Sequence, residues 1–108
     1  MGMFYTSFDS EGQLGYKQIT TFFMDFGIAE NFGVSAIKDT YKRGMEYAKT
    51  DYKVLTEFVM VLNWKVWEHY QTKPDLAAEY QKLWEQADAY ATSHLKGDEL
   101  SYFYRTTD

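Results

Sequence analysis

The chain has 108 residues, a formal net charge of −5 at pH 7 and no cysteine. This length fits one domain with a single core; the acidic balance disfavours binding to a phosphate backbone, and the lack of thiols excludes disulfide and thiolate chemistry. Because the chain has no apolar run of ~18–20 residues that could span a bilayer and no signal-peptide pattern at its start, we expect a cytoplasmic protein without a membrane partner.

The N-terminal residues 1–15 contain three glycines and show no helical period, which predicts a loop or an extended segment. The remaining residues, 16–108, are expected to form a single helical domain. The first helix is predicted to begin at Thr20 or Thr21, since either side chain can cap a helix N-terminus. Gly33 is expected to end that helix.

The second helix is predicted to begin at a Ser35 cap and to turn four apolar residues inward. These residues are Ile37, Tyr41, Met45 and Ala48. Their spacing continues to Tyr70, so residues 35–71 could form one rod or two helices. We favour a break at Thr50-Asp51, a plausible N-cap pair, because a rod of about 35 residues is rare in a domain of this size.

Residues 51–71 are predicted to form the central helix, because they are apolar on two sides. One apolar stripe consists of Leu55, Phe58, Val59, Leu62 and Val66, and the other of Met60, Trp64 and Trp67. A narrow wet strip is formed by Lys53, Glu57, Lys65 and Glu68. A helix of this kind lies in the middle of a bundle or faces another chain.

The fourth helix is predicted to start at Pro74, which suits the first helical position, and to stop at Gly97. The aromatic tail, residues 98–108, is expected to dock as a short helix capped by Asp98 or as an extended segment. In the extended case it could pair with residues 3–8. The sequence thus predicts an all-α fold, a small bundle of four main helices with an aromatic-rich core and, as an option, short extended termini.

One motif, IAENFGVS, resembles the first helix and turn of a helix-turn-helix DNA reader. Residues 28–49 could then bind nucleic acid through Lys38, Lys42 and Arg43. That pattern requires a branched apolar residue where this chain has Asp39. The acidic net charge also argues against nucleic acid, so this reading is kept as an alternative function.

The titratable residues do not predict a catalytic or metal site. If the third and fourth helices form an antiparallel hairpin, His69 and His94 lie ~25 Å apart and cannot share a metal ion. The paired E-x-x-H motif of di-iron bundles is also absent. The predicted wet faces carry Glu57, Glu68, Glu79, Glu85 and Asp88. We therefore expect no enzyme activity, cofactor or small-molecule substrate. A second alternative, a hydrolase with buried carboxylates, requires two of Glu57, Glu68 and Asp88 to meet in a concave pocket with raised pKa values.

Trp64, Trp67 and Met60 form an apolar stripe with two possible roles. They could pack inside the core, or they could anchor a second chain, since Trp and Met are enriched at interfaces. We predict an interface formed by Met60, Trp64 and Trp67, to which Trp84 could contribute. Its partner is expected to be a second copy, most simply in a homodimer, or another protein.

Four segments, TTFFMDFGIAENFG, AIKDTYKRG, LTEFVMVLNWKVWEHY and LKGDELSYFYRTTD, resemble a family of small uncharacterised bacterial proteins that often accompany integrated mobile elements. The resemblance covers about residues 20–108. It implies a compact all-α domain in the bacterial cytoplasm and an accessory role in maintenance or transfer of the element. The family has no established activity, so it carries over no catalytic or binding residue.

Overall fold

The computed structural model describes the backbone of residues 10–107 and the side chains of residues 19–107. The described residues form five helices and no strand, which confirms the all-α prediction with one helix more than the four main ones expected. The helices are α1 (Ser10–Glu30), α2 (Val34–Ala48), α3 (Tyr52–His69), α4 (Pro74–His94) and α5 (Asp98–Thr107). In this part of the chain, no helix combines the length and the apolar composition that crossing a bilayer requires.

The first helix begins earlier than the sequence indicates. Residues 10–15, expected to be a loop or extended, are the first residues of α1, and Thr20 and Thr21 lie inside the helix rather than at its cap. A glycine within a helix costs only about 1 kcal/mol relative to alanine, so the glycines of this segment weaken the helix without ending it. Residues 1–9 lie outside the described residues.

The corner between α1 and α2 is built on Gly33. Its φ of 98° is one that residues with a side chain rarely adopt, and its N–H donates to the Ala29 carbonyl at 3.1 Å. The second helix starts at Val34 without a side-chain cap, so the predicted Ser35 cap is wrong. The backbone of Gly33 makes the turn by itself.

The break between α2 and α3 lies where the sequence favours it. Asp51 is extended, and its Oδ1 accepts a 2.8 Å hydrogen bond from the Lys53 backbone N–H. This is the standard N-cap interaction, which satisfies a donor that the helix leaves free. Residues 35–71 are therefore two helices, and the single rod is excluded.

The central position of α3 is confirmed, because it packs against each of the other four helices. Phe58 is fully buried and has three aromatic neighbours: Phe22 at 4.6 Å, Tyr41 at 5.9 Å and Phe26 at 6.0 Å between ring centroids. Leu55, Val59 and Leu62 of the predicted stripe are also buried, and Val66 is half-buried. The aromatic core thus forms along this stripe.

The last two helices follow from turn chemistry at each end of α4. Pro74 occupies its first turn as predicted. The helix ends at His94, before the predicted stop at Gly97, and Gly97, with φ 57°, lies in the turn that leads into α5. The tail is helical as far as Thr107 and is anchored by Phe103, which is 1% exposed. The extended form of the tail is thereby excluded, whereas its proposed strand partner at residues 3–8 lies outside the described residues.

Candidate functional site

The described helices enclose a groove of about 730 Å³ where α3, α4 and α5 meet. All four predicted interface residues, Met60, Trp64, Trp67 and Trp84, line it. The other lining residues are Val59, Asn63, Glu68, Asp88, Phe103, Tyr104 and Thr107. We call this the aromatic groove. The structure therefore brings together a set of residues that the sequence grouped only by helical spacing.

Two tryptophans of the aromatic groove are largely exposed, Trp64 by 61% and Trp67 by 71%. A position in the core is therefore excluded for both. Trp64 meets one ring of α1, that of Phe23, edge-on at 6.1 Å, and Trp67 is tilted against Tyr70 at 6.2 Å. Met60 and Trp84 are half-buried. The second apolar stripe of α3 thus faces the groove rather than the interior.

One wall of the aromatic groove comes from α5. Phe103 is buried there, and its neighbour Tyr104 remains 47% exposed with its ring 5.8 Å away. Sequence reasoning did not include either residue in the candidate site. The sequence signal for these residues was the aromatic tail SYFYR, which was expected to dock. Where the tail docks depends on the turn at Gly97, so the sequence did not place it at the groove.

The aromatic groove contains two of the three carboxylates that the hydrolase alternative requires, Glu68 and Asp88. Glu68 is exposed and accepts a 3.3 Å contact from Lys65 Nζ. The third, Glu57, does not line the groove, although it is the carboxylate whose pKa burial raises to about 7. The carboxylate with the raised pKa, Glu57, is therefore not one of the two that share the groove, and we assign a catalytic role to none of the three.

A separate buried polar network joins α1, α3 and α4 at Glu30. Its Oε2 is contacted by His69 Nε2, by the Tyr80 hydroxyl at 2.9 Å and by Lys65 Nζ at 3.2 Å. Lys65 is only 4% exposed, so its predicted position on the wet strip is wrong. His69 is 5% exposed, with Glu30 as its polar partner.

The charges of this network compensate each other. Burial by itself raises the pKa of Glu30, but hydrogen bonds from His69 and Tyr80 and the ammonium of Lys65 outweigh it and hold that pKa below its usual value. Burial, followed by the bond to Glu30, raises the pKa of Tyr80. The atoms of Glu30, Glu68 and His69 that could ligate a metal ion lie within 4.8 Å of one another. Lys65 contacts both carboxylates, and its ammonium already supplies a cation there.

Glu57, like Lys65, is buried although the sequence predicted it on the wet strip. It is 6% exposed, and its Oε1 has no hydrogen-bond partner among the described residues. Burial is the main cause of its raised pKa, the charge of Asp51 raises it further, and Lys53 lowers it. Glu79 is also buried, whereas Glu85 is exposed and Asp88 is half-buried. Helical spacing alone did not predict which carboxylates the neighbouring helices cover.

The residues of the nucleic-acid alternative lie on α2. Lys38, Lys42 and Arg43 are exposed there, but so is Asp39. Arg43 donates a 3.3 Å hydrogen bond to Thr40 Oγ1. The exposed face thus mixes both signs of charge, so it lacks the uniformly basic surface that phosphate binding favours.

Comparisons with known proteins return no family model, no curated protein and no solved structure that matches the chain. The resemblance to mobile-element proteins stays a prediction.

Proposed function

We propose that the chain is a non-enzymatic protein-interaction domain whose aromatic groove binds an amphipathic helix of another protein. The observation that carries the proposal is the exposure of Trp64 and Trp67 inside a groove that also contains Met60 and Trp84. Large exposed apolar patches are rare on monomers and mark binding surfaces. Tryptophan is also among the residues that contribute most to binding energy.

The shape of the aromatic groove supports a helical partner. Its lining residues on α3 extend from Val59 to Glu68, which corresponds to ~14 Å along the helix axis or about two and a half turns. A partner helix presents apolar anchors at positions i, i+3 or i+4, and i+7 over such a length. Two uncharged polar residues of the lining, Asn63 and Thr107, can meet the polar flank of that helix.

The charge of the groove favours another protein over a second copy. Both charged residues that line it, Glu68 and Asp88, are acidic, so Lys or Arg beside the apolar anchors would complement them. In a two-fold contact the same groove faces itself. The hollow of one chain would then face the hollow of the other, and the two carboxylates of one groove would face the two of the other. Self-association through Met60, Trp64, Trp67 and Trp84 stays a prediction, and we rank it below a heterologous helix.

The test is selection of a display library of short helical peptides against the full chain. We expect enriched sequences with apolar anchors at i, i+4 and i+7. Binding should shift the tryptophan emission to shorter wavelength, since it buries Trp64 and Trp67. Trp67→Ala should weaken the best peptide roughly 30-fold, which corresponds to the ~2 kcal/mol of a hot-spot residue.

Tyr47→Ala is the matched control, because Tyr47 is an exposed aromatic residue on α2 that does not line the groove. It should leave the peptide affinity unchanged. Peptides whose binding does not respond to Trp67→Ala would contradict the proposal. So would binding only by a chain that lacks residues 1–9, since the groove would then belong to the chain's own N-terminal segment.

A small-molecule site is the main rival, because pockets of 300–1,000 Å³ with aromatic linings commonly hold such ligands. A fragment screen with the same Trp67→Ala variant distinguishes the two. Fragments that bind in a Trp67-dependent way, with no peptide enriched, would replace our proposal. The exposure of Trp64 and Trp67 favours the peptide, because a pocket for a small ligand encloses most of its walls.

The broader role that we propose is that of an accessory protein in the bacterial cytoplasm, associated with a mobile element. It rests on the resemblance of four sequence segments. The two alternatives, nucleic-acid binding by residues 28–49 and a hydrolase with buried carboxylates, have less support. Nucleic-acid binding would place the acidic Asp39 on the helix that meets the phosphates. The hydrolase would need Glu57 in a pocket with a second carboxylate, and Glu57 does not line the aromatic groove.

A further inference from the structure

A second exposed apolar surface lies on α1 and on the turn that follows it. Met24 and Ile28 are one helical turn apart and are 62% and 57% exposed, and Phe32, four residues further on, is 74% exposed. We call these three residues the α1 stripe. None of them lines the aromatic groove. The proposed function therefore gives this surface no role.

The α1 stripe borders a hollow of about 240 Å³ between α1 and α2. Ile28 and Phe32 line it from α1 and its turn, and Ala36 lines it from α2. The surface thus combines a projecting ring, that of Phe32, with a recess beside it. A surface with both features can fit a second copy of itself across a two-fold axis.

The same hollow is lined by charges of both signs, with Asp25 and Asp39 against Arg43. The hydrogen-bond partner of the Arg43 guanidinium is the neutral hydroxyl of Thr40. Among the described residues, no carboxylate lies within ion-pair distance of Arg43. Asp39 and Arg43 are one turn apart on α2, and neither forms an ion pair with another of the described residues, so both can pair with a second chain.

We propose that a second copy of this chain docks on the α1 stripe, with Asp39 of each chain paired to Arg43 of the other. A two-fold axis across α2 makes both pairs at once, because every contact in such an interface occurs twice. The arrangement differs from the aromatic groove, whose charged lining residues are all acidic. The inference is independent of the proposed function, because it uses no residue of the aromatic groove.

The experiment measures the oligomeric state of the full chain by sedimentation equilibrium from about 1 to 100 µM. The wild type should pass from monomer to dimer within this range, since a modest interface gives a micromolar contact. Ile28→Glu should stay monomeric throughout. Circular dichroism should show it folded, because Ile28 is exposed and its replacement leaves the core intact.

The charge pairs are tested by exchange. Arg43→Glu and Asp39→Arg should each weaken the dimer at least tenfold, because each homodimer then opposes like charges. A mixture of the two variants should form a heterodimer near wild-type affinity, since both pairs are restored in it. Failure of the mixture to recover would overturn the assigned pairing, whatever the effect of the single variants.

Trp67→Ala is the control for the other surface and should leave the dimer unchanged. Dissociation by Trp67→Ala, with the dimer intact in Ile28→Glu, would move the interface to the aromatic groove and overturn the inference. A wild-type chain that stays monomeric at 100 µM would overturn it as well. Because peptide binding at the aromatic groove is measured separately, neither result decides the proposed function.

Discussion

Tyr80 and Glu30 lie 50 residues apart in the sequence, and the Tyr80 hydroxyl donates a 2.9 Å hydrogen bond to Glu30 Oε2. The same oxygen is contacted by Lys65 and His69. Glu30 is the last residue of α1, so the network holds the end of that helix against α3 and α4. A carboxylate in this position stabilises the fold only while its partners are present, because burying an unpaired charge is costly.

Lys65→Met should lower the free energy of unfolding by about 3 kcal/mol, because it leaves the negative charge of Glu30 without its ammonium partner. The measurement is urea unfolding at pH 7. Lys82→Met is the matched control on the exposed face of α4 and should change stability by less than about 0.5 kcal/mol. Equal effects of the two variants would show that the Glu30 pair is screened by solvent.

Glu57 should make the chain less stable as the pH rises. Its pKa is raised to about 7 in the folded state and is near 4.5 when unfolded, so the folded state binds more protons between these values. The free energy of unfolding should therefore fall across that window, by at most ~3 kcal/mol, and level off above it. Glu57→Gln should remove this slope and stabilise the chain at pH 8.

The control for this slope is Glu46→Gln, which changes an exposed carboxylate of α2 and should leave the slope in place. Glu30 acts in a different window and with the opposite sign. Its pKa is lowered in the folded state, so its stabilisation is present above pH 4.5 and is lost as the pH falls through the folded value. A slope between pH 4.5 and 7 that persists in Glu57→Gln would refute the assignment to Glu57.

Two of the helical glycines, Gly44 and Gly27, should respond oppositely to alanine. A β-carbon at Gly44 would meet two ring atoms of the fully buried Phe58 at 2.6 Å, whereas one at Gly27 meets nothing within 4 Å. Gly44→Ala should destabilise by roughly 1–2 kcal/mol, since overpacking exceeds the gain in helix propensity. Gly27→Ala should stabilise by about 0.5–1 kcal/mol. Thermal unfolding of both variants checks the pair, and a stabilised Gly44→Ala would contradict the close approach.

The cap of α3 can be separated from the charge of Asp51. Asp51→Ala should cost about 1 kcal/mol, because the Lys53 N–H loses its acceptor. Asp51→Asn keeps an acceptor oxygen and removes the negative charge that helps to raise the pKa of Glu57. It should therefore retain the stability of the cap and shift the Glu57 transition to lower pH. An equal loss of stability in both variants would argue against the cap.

The sequence predicted the elements of the fold that depend on local chemistry. The break at Asp51, the start at Pro74 and the buried stripe around Phe58 are all found, whereas α4 ends at His94, before the predicted end at Gly97. Each depends on a cap, on a fixed or permissive φ, or on spacing along one helix. The start of α1 was misplaced, because helix propensity is a weak constraint and Gly12 and Gly15 do not stop a helix.

The sequence by itself determined that the chain is all-α and that α3 needs cover on two sides, because helical periodicity states which residues share a face. Only the tertiary structure decided what each face meets. Lys65 and Glu57 are buried because α1, α4 and α5 pack over a strip that spacing alone marks as wet. Trp64 and Trp67 line a groove rather than the core because α5 turns back at Gly97 to form its wall. Contacts between residues 39 or 50 positions apart, such as His69 and Tyr80 with Glu30, depend on how whole helices pack, and no local pattern encodes them.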